Sequence, residues 1–381
     1  MTKRRDLQRI LCVAALLAAL LLIAWWLTAS ERSLQERASV RISLHGRYFV
    51  GWLTSSTALV IQVEHAAGIK FVSGTPVLLD VRSGRESPLT GLEALWKRDR
   101  SNSAGMSEIH GTLSMDGRLM LIHVVFRSQA ILAGRRVGSY IPVQRFYLCD
   151  VNTRSIRQLP VYGYDDAYWL PTSTEILFYG EVPVPPWDSG ARYPIALFST
   201  DGARPLRRSF WTGKSSVSVP LGCTANGSFV TAIDSGQRFI YGSSPPGRRK
   251  TVPLEYLLTQ YEPGGNLRAR RQTAVPYPPG MRPVHAPEMS WRRDRLLWFC
   301  TPLAAQGIPR WLAILQGRLI GRVAQQESVW TSEFDGSRMR KLGATMRHGP
   351  NDRPAAHLQW LPDGASVSFV SGDTLYVAPA R

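Results

Sequence analysis

Along most of the chain, apolar and polar residues alternate in short runs, and Gly, Pro, Asp or Ser breaks each run after a few positions. Period-two alternation between turn residues is the signature of strands with one buried face. The C-terminal stretch shows it most clearly. Leu358-Gln359-Trp360-Leu361-Pro362-Asp363-Gly364 precedes Ser366-Val367-Ser368-Phe369-Val370, and a Gly372-Asp373 turn leads into Leu375-Tyr376-Val377. The pattern predicts strand, turn, strand, turn, strand.

The same frame recurs upstream. Trp52-Leu53-Thr54-Ser55 precedes Leu59-Val60-Ile61, and Leu113-Ser114-Met115-Asp116-Gly117 precedes Leu119-Met120-Leu121-Ile122. Trp169-Leu170-Pro171-Thr172, Cys223-Thr224-Ala225-Asn226-Gly227 and Trp291-Arg292-Arg293-Asp294 stand in the same relation to the apolar runs that follow them. The frames begin at Trp52, Leu113, Trp169, Cys223, Trp291 and Trp360, with spacings of 61, 56, 54, 68 and 69 residues. Between them lies a second hairpin motif with an Asp-Gly or Ser-Gly style turn. Val77-Leu78-Leu79-Asp80-Val81-Arg82-Ser83-Gly84 and Phe146-Tyr147-Leu148-Cys149-Asp150-Val151-Asn152-Thr153 are examples, as is Val329-Trp330-Thr331-Ser332-Glu333-Phe334-Asp335-Gly336.

Each period therefore holds about four short strands, and radial repetition of four-stranded units makes a β-propeller. Six frames predict six blades, with the frame aromatic wedged between neighbours. After Trp360 too little chain remains to finish the last blade. Ser39-Val40-Arg41-Ile42-Ser43-Leu44 alternates correctly and precedes the first frame, so the N-terminal strand is expected to close the ring and remove two open sheet edges. Trp-Leu-Pro-Asp-Gly followed by Leu-Tyr-Val, with Phe-Asp-Gly-Ser-Arg-Met-Arg-Lys-Leu, resembles the TolB-like, WD40-like propeller repeats of bacterial exported proteins. The resemblance covers roughly residues 40–380 and departs most in the fourth repeat, where Cys223 replaces the aromatic. It implies an all-β, six-bladed propeller over 39–381 and, by itself, no reaction.

The N-terminus has a different pattern. Lys3, Arg4, Arg5 and Arg9 precede Ile10–Leu27, a run of 18 residues without a charge that ends at Trp25 and Trp26. That length just spans a hydrocarbon core, and indoles favour its edge. The reading is a cytoplasmic tail at 1–9, one transmembrane signal-anchor helix at 10–29, a linker at 30–38 and an extracytoplasmic propeller, periplasmic or at the cell surface. A cleaved signal peptide is the alternative. Its apolar region is normally about 7–15 residues, and Thr28 and Ser30 offer a small-x-small pair.

Composition sharpens this picture in three ways. Gly and Pro number 32 and 26, which suits many turns and excludes a helical bundle or a coiled coil. The formal net charge is +18, and only six of the 46 basic residues are Lys, the other 40 being Arg. A basic surface suits an acidic glycan, anionic lipid or an acidic protein, and the expected export argues against nucleic acid. Beyond Cys12, the cysteines Cys149, Cys223 and Cys300 are odd in number and do not make a disulfide framework. They are expected to be buried free thiols. Insertions at 91–107, 128–143, 181–194, 236–254 and 302–327 are expected to be loops on a propeller face.

Catalytic signatures such as G-x-S-x-G, H-E-x-x-H, C-x-x-C, a P-loop and G-x-G-x-x-G are missing. One column of residues is chemically suggestive. Three positions before the frames stand Phe49, His110, Asp166, Pro220, Glu288 and His357. In a propeller these lie on the innermost strands beside the central channel. His110, Asp166, Glu288 and His357 are therefore candidates to converge at a channel mouth, where they would ligate a divalent metal or act as an acid–base set. The competing reading is that they are ordinary polar residues lining a wet channel. His45, His65, His123, His285 and His348 have no ligand-like spacing. The functional expectation is a membrane-tethered module that binds a protein or glycan in the cell envelope, without a cofactor. The alternative is a metal-assisted lyase or hydrolase acting on an acidic polysaccharide.

Overall fold

A computed structural model describes residues 17–18, 33–62, 65–66, 69–70, 75–100, 106–132, 135–180, 192–200, 205–212, 218–234, 255–261, 269–290, 292–302, 327–345 and 356–380. Six successive antiparallel sheets form a β-propeller, each built from the repeat seen in the sequence. From innermost strand outwards, the first blade holds Arg47–Trp52, Thr57–Gln62, Pro76–Asp80 and Glu86–Pro88. The second holds Met106–Leu113, Leu119–Leu132, Arg135–Asp150 and Ile156–Leu159. The third holds Asp166–Trp169, Glu175–Tyr179, Arg192–Ser199 and Pro205–Thr212. The fourth holds Ser218–Cys223, Phe229–Asp234, Glu255–Tyr261 and Ala269–Pro276.

The fifth blade is irregular at its inner edge. Two short segments, Met281–Pro283 and Glu288–Met289, share the partner Arg295–Pro302, followed by Glu327–Glu333 and Arg340–Thr345. Pro283 and Pro287 lack the N–H that a continuous inner strand needs, so the strand splits there.

The sixth blade is closed by the N-terminus, as the strand count requires. Ala356–Trp360, Ser366–Ser371 and Thr374–Pro379 are completed by Val40–Ser43. The register pairs Val40 with Val377, Arg41 with Tyr376, Ile42 with Leu375 and Ser43 with Thr374. Leu44, 1% exposed, then enters a shared core with Trp52, Leu361, Leu375 and Val377.

Just before this strand, Leu34–Arg37 forms a one-turn helix with a capping box between Ser33 and Glu36. Leu34 is fully buried against the fifth and sixth blades. A Cβ on Gly343 would stand 2.9 Å from the Leu34 Cγ, so any larger residue there would push the helix away. Arg37 adds a hydrogen bond to the Leu342 carbonyl. The end of the segment expected as linker is thus fastened to the propeller wall.

Each described frame residue packs on the preceding blade. Trp52 donates from Nε1 to Ser368 Oγ of the sixth blade at 2.8 Å, and Trp169 donates to the Thr112 carbonyl of the second at 3.0 Å. Leu113 joins the first-blade core, Cys223 the third-blade core and Trp360 the fifth-blade core. Trp291 lies outside the described residues. The turns repeat as well. Asp80, Asp150 and Asp363 each accept two backbone N–H bonds from residues two and three positions on, which is how a short acid holds such a turn.

Cys149, Cys223 and Cys300 are buried and free. The insertion at 91–107 opens as the helix Thr90–Arg100, with Leu92 and Trp96 in the core. That at 128–143 extends the two middle strands of the second blade. The other three lie largely outside the described residues. So does the apolar run Ile10–Leu27, apart from Leu17 and Ala18. Among the described residues no helix is long and apolar enough to cross a membrane.

Candidate functional site: the axial cavity

The innermost strands of the first five blades touch in succession around the axis, and that of the sixth meets the first where His357 packs on Tyr48. The first two approach so closely that a Cβ on Gly51 would stand 2.4 Å from the Gly111 carbonyl oxygen. Elsewhere the inner edges leave a cavity of about 500 Å³, to which every blade contributes. Trp52, Thr112, Trp169, Leu221, Glu288 and Gln359 come from the first to the sixth blade in turn. Each inner strand after the first lends consecutive residues to the lining, such as Gly111, Thr112 and Leu113 of the second blade. Residues one and three positions before a frame point to the same side of the inner strand, and Thr112, Tyr168, Gly222, Ser290 and Gln359 occupy the nearer position.

Arg293 reaches across this space. It sits in the turn after the fifth frame with φ of 60°. Its Nη1 donates to the Cys223 carbonyl at 2.5 Å and its Nη2 to the Trp169 carbonyl. One guanidinium thus ties the fifth blade to the frames of the fourth and third. Burial lowers its proton affinity, opposed by Cys223 beside it. Burial raises the Cys223 thiol to about 11, which makes it inert at neutral pH.

The four candidate side chains do not form one set. His110 and Glu288 line the cavity. His110 is open to water within it but surrounded by protein. Burial lowers its pKa first, then the neighbouring His123, against the opposing pull of Asp166 and Glu108. Among the described residues Glu288 has no hydrogen-bond or ion-pair partner, and burial alone pushes its pKa up to about 8. Asp166 is engaged beside the cavity. One carboxylate oxygen accepts the Ala167 N–H at 2.8 Å, and the other accepts the Tyr168 hydroxyl. Burial, then the Asp166 charge, holds Tyr168 well above its ordinary value.

His357 is within electrostatic reach of His110 but is packed elsewhere. Its ring meets Tyr48 edge-on at 4.6 Å and Phe49 at 6.2 Å. Burial, then His110, lowers its pKa to about 4. It has φ of 53° and sits in a register break between Ala356↔Val370 and Gln359↔Ser368. Similar breaks follow Phe49 and Pro220. Phe49, at the same repeat position as His110, lies in a blade core at 1% exposure. Among the described residues no three His, Cys, Asp or Glu side chains are placed to hold a metal. The described His, Cys, Asp and Glu side chains therefore do not make up a metal centre by themselves.

Arg293, Tyr168 and Gln359 were not singled out from sequence. Tyr168 and Gln359 had a usable signal, since each immediately precedes a frame Trp. Arg293 had only its place in the turn.

No protein-family model and no curated protein matches the chain. Solved structures do. A putative TolB from Agrobacterium tumefaciens aligns at 12% identity and TM-score 0.42, covering 91% of this chain and 99% of its own. An oligogalacturonate lyase in complex with manganese aligns at 11% and 0.41, covering 90% of each. The β-propeller domain of the Trilobed protease from Pyrococcus furiosus aligns at 11% and 0.39, covering 90% and 82%. These are likenesses of chain path and carry no ligand or reaction across.

Proposed function

We propose that this chain is a membrane-tethered, extracytoplasmic binding module that holds a protein or glycan partner of the cell envelope at its axial cavity. The observation that carries the reading is the cavity itself, walled by residues from all six blades. Concave sites of roughly 300–1,000 Å³ with apolar walls and a few convergent polar groups are where proteins hold ligands. The tether rests on the sequence, a basic flank before 18 uncharged residues, and the net charge of +18 favours acidic partners.

The test uses the full chain in its own membranes. Alkaline extraction should leave it in the pellet, and added protease should reach it only from the extracytoplasmic side. Crosslinking should recover a partner that a cavity-filling Thr112→Trp variant loses. Purified chain that turns over a polysaccharide would count against a binding module.

The second reading is a metal-assisted lyase or hydrolase acting on an acidic polysaccharide. Its support is the electrostatic reach of His110 to Asp166 and to His357 together with the basic charge. Metal analysis of the purified chain, with and without His110→Ala, separates the two readings.

A further inference from the structure

We infer that the group received by the axial cavity is a neutral sugar unit, hydrogen-bonded by Glu288, His110 and Gln359 and laid against the ring of Tyr168. The inference rests on the reading that this cavity binds a ligand, and it names the ligand's chemistry.

The wall is mostly accounted for within the protein. The Trp52 and Trp169 indoles donate to Ser368 and to the Thr112 carbonyl. Ser290 donates to Asp294 at 2.8 Å. The Arg293 guanidinium donates to two carbonyls. Among the described residues, the lining side chains of Glu288 of the fifth blade, His110 of the second and Gln359 of the sixth make no hydrogen bond, and the Trp360 indole N–H is a further buried donor without a partner. Polar groups in such a place need partners, and water or a ligand supplies them.

The chemistry of Glu288, His110 and Gln359 is alike. A carboxyl held protonated to about pH 8 is one donor with acceptor capacity to spare. An imidazole kept from protonating is one donor and one acceptor, and so in effect is an amide. None of the three offers a full charge at neutral pH. An ammonium ligand would first have to ionise Glu288. A carboxylate ligand would look for a free cation, and Arg293 already has its carbonyls. The complement of groups that both donate and accept is a ligand whose groups do the same, a set of hydroxyls. The remaining wall suits the C–H faces of a sugar. Leu221, Met289 and the half-buried Tyr168 are apolar there, and the Tyr168 ring is fixed because its hydroxyl is bound to Asp166. The other titratable groups sharing the wall are Cys223, His285 and Arg293.

The experiment titrates the full chain in detergent with the methyl glycosides of glucose, galactose, mannose and N-acetylglucosamine, and with galacturonate and glucosamine as charged counterparts. Saturation-transfer NMR at pH 7 and pH 9.5 reads binding. A neutral glycoside should bind, with both charged probes at least roughly tenfold weaker. Glu288→Gln, which keeps a donor and an acceptor, should retain the affinity. Glu288→Leu and Gln359→Leu should each lose roughly tenfold. Going to pH 9.5 should weaken the wild type but not Glu288→Gln. Thermal melts confirm that each variant is folded. Tighter binding of either charged probe, no binding of any neutral glycoside, or full affinity in Glu288→Leu overturns the inference. If no sugar binds but crosslinking still captures a protein that Thr112→Trp loses, the sugar is refuted and the binding module stands.

Discussion

Replacing Glu288 by Gln should stabilise the protein, and the gain should grow with pH. The carboxyl lines the cavity without a partner among the described residues, and burial lifts its pKa from the ordinary 4.5 to about 8. Below pH 4.5 the folded and unfolded chains both hold the proton, so the residue costs nothing. Between 4.5 and about 8 the unfolded chain releases the proton while the folded one retains it. The unfolded state then binds fewer protons, and stability falls as pH rises. At about 1.4 kcal/mol per tenfold change in proton affinity, the full loss is about 5 kcal/mol, reached above pH 8. Water on the cavity side solvates the carboxylate and reduces this, so at least about 2 kcal/mol is expected at pH 9. Glutamine has no proton to lose and escapes the effect. His110 and His357, whose pKa values are lowered, destabilise the fold in acid instead, equally in both proteins, and cancel in the difference. Urea unfolding followed by tryptophan fluorescence at pH 4.5, 6, 7.5 and 9 gives that difference directly. A gap between Glu288→Gln and wild type that stays constant with pH, or a less stable variant at pH 9, would refute the reasoning.

Four further outcomes are expected. Leu44→Ala removes a buried side chain just past the closing strand and should cost about 2–4 kcal/mol in urea unfolding. Trp52→Phe gives up the buried bond to Ser368, whereas the Trp360 indole N–H has no partner. Trp52→Phe should therefore cost about 1–2 kcal/mol more than Trp360→Phe in the same assay. His357→Asn keeps a residue tolerant of φ near 53° and removes an imidazole that protonates near pH 6.5 when unfolded and near 4 when folded. The wild type should lose stability as pH falls from 6.5 to 4, and the variant should show a shallower loss. Cys149 and Cys223, raised to about 11, and Cys300, raised to about 12, should resist a thiol reagent at pH 8 until urea is added.

The ring was legible because its cause is local. Period-two runs, Asp-bearing turns and the aromatic frames each follow from short-range rules, and counting strands after Trp360 left one missing, which Val40–Ser43 supplies. The site was legible only in outline. The column three residues before the frames includes three cavity residues, His110, Pro220 and Glu288. It fails at Phe49 and His357, which fall at register breaks, and at Asp166, which stands beside the cavity, while Pro220 lines the cavity despite a break of its own. A one-residue slip turns a side chain to the other face of its strand, and nothing in the pattern around Phe49 or His357 announces the slip. Arg293 was hidden for another reason. Its role depends on two carbonyls, of Cys223 and Trp169, which lie far away in sequence and belong to every residue type alike.

Two of the cavity's charged or titratable groups, Glu288 and Arg293, stand in the blade where the repeat is least regular, and the physical reason is shared. A regular inner strand pairs its backbone and points its side chains alternately to the axis and the blade core. The fifth blade cannot do so, because Pro283 and Pro287 split its inner edge and leave Glu288 on a two-residue bridge to Leu297 and Leu296. The turn that follows places Arg293 in the left-handed region, where a long side chain costs about 1 kcal/mol or more. Its two carbonyl contacts offset that cost, and they brace the blade whose inner strand is weakest. Ring closure by Val40–Ser43 lies in the neighbouring blade, so the latch and the brace flank the same irregular sector.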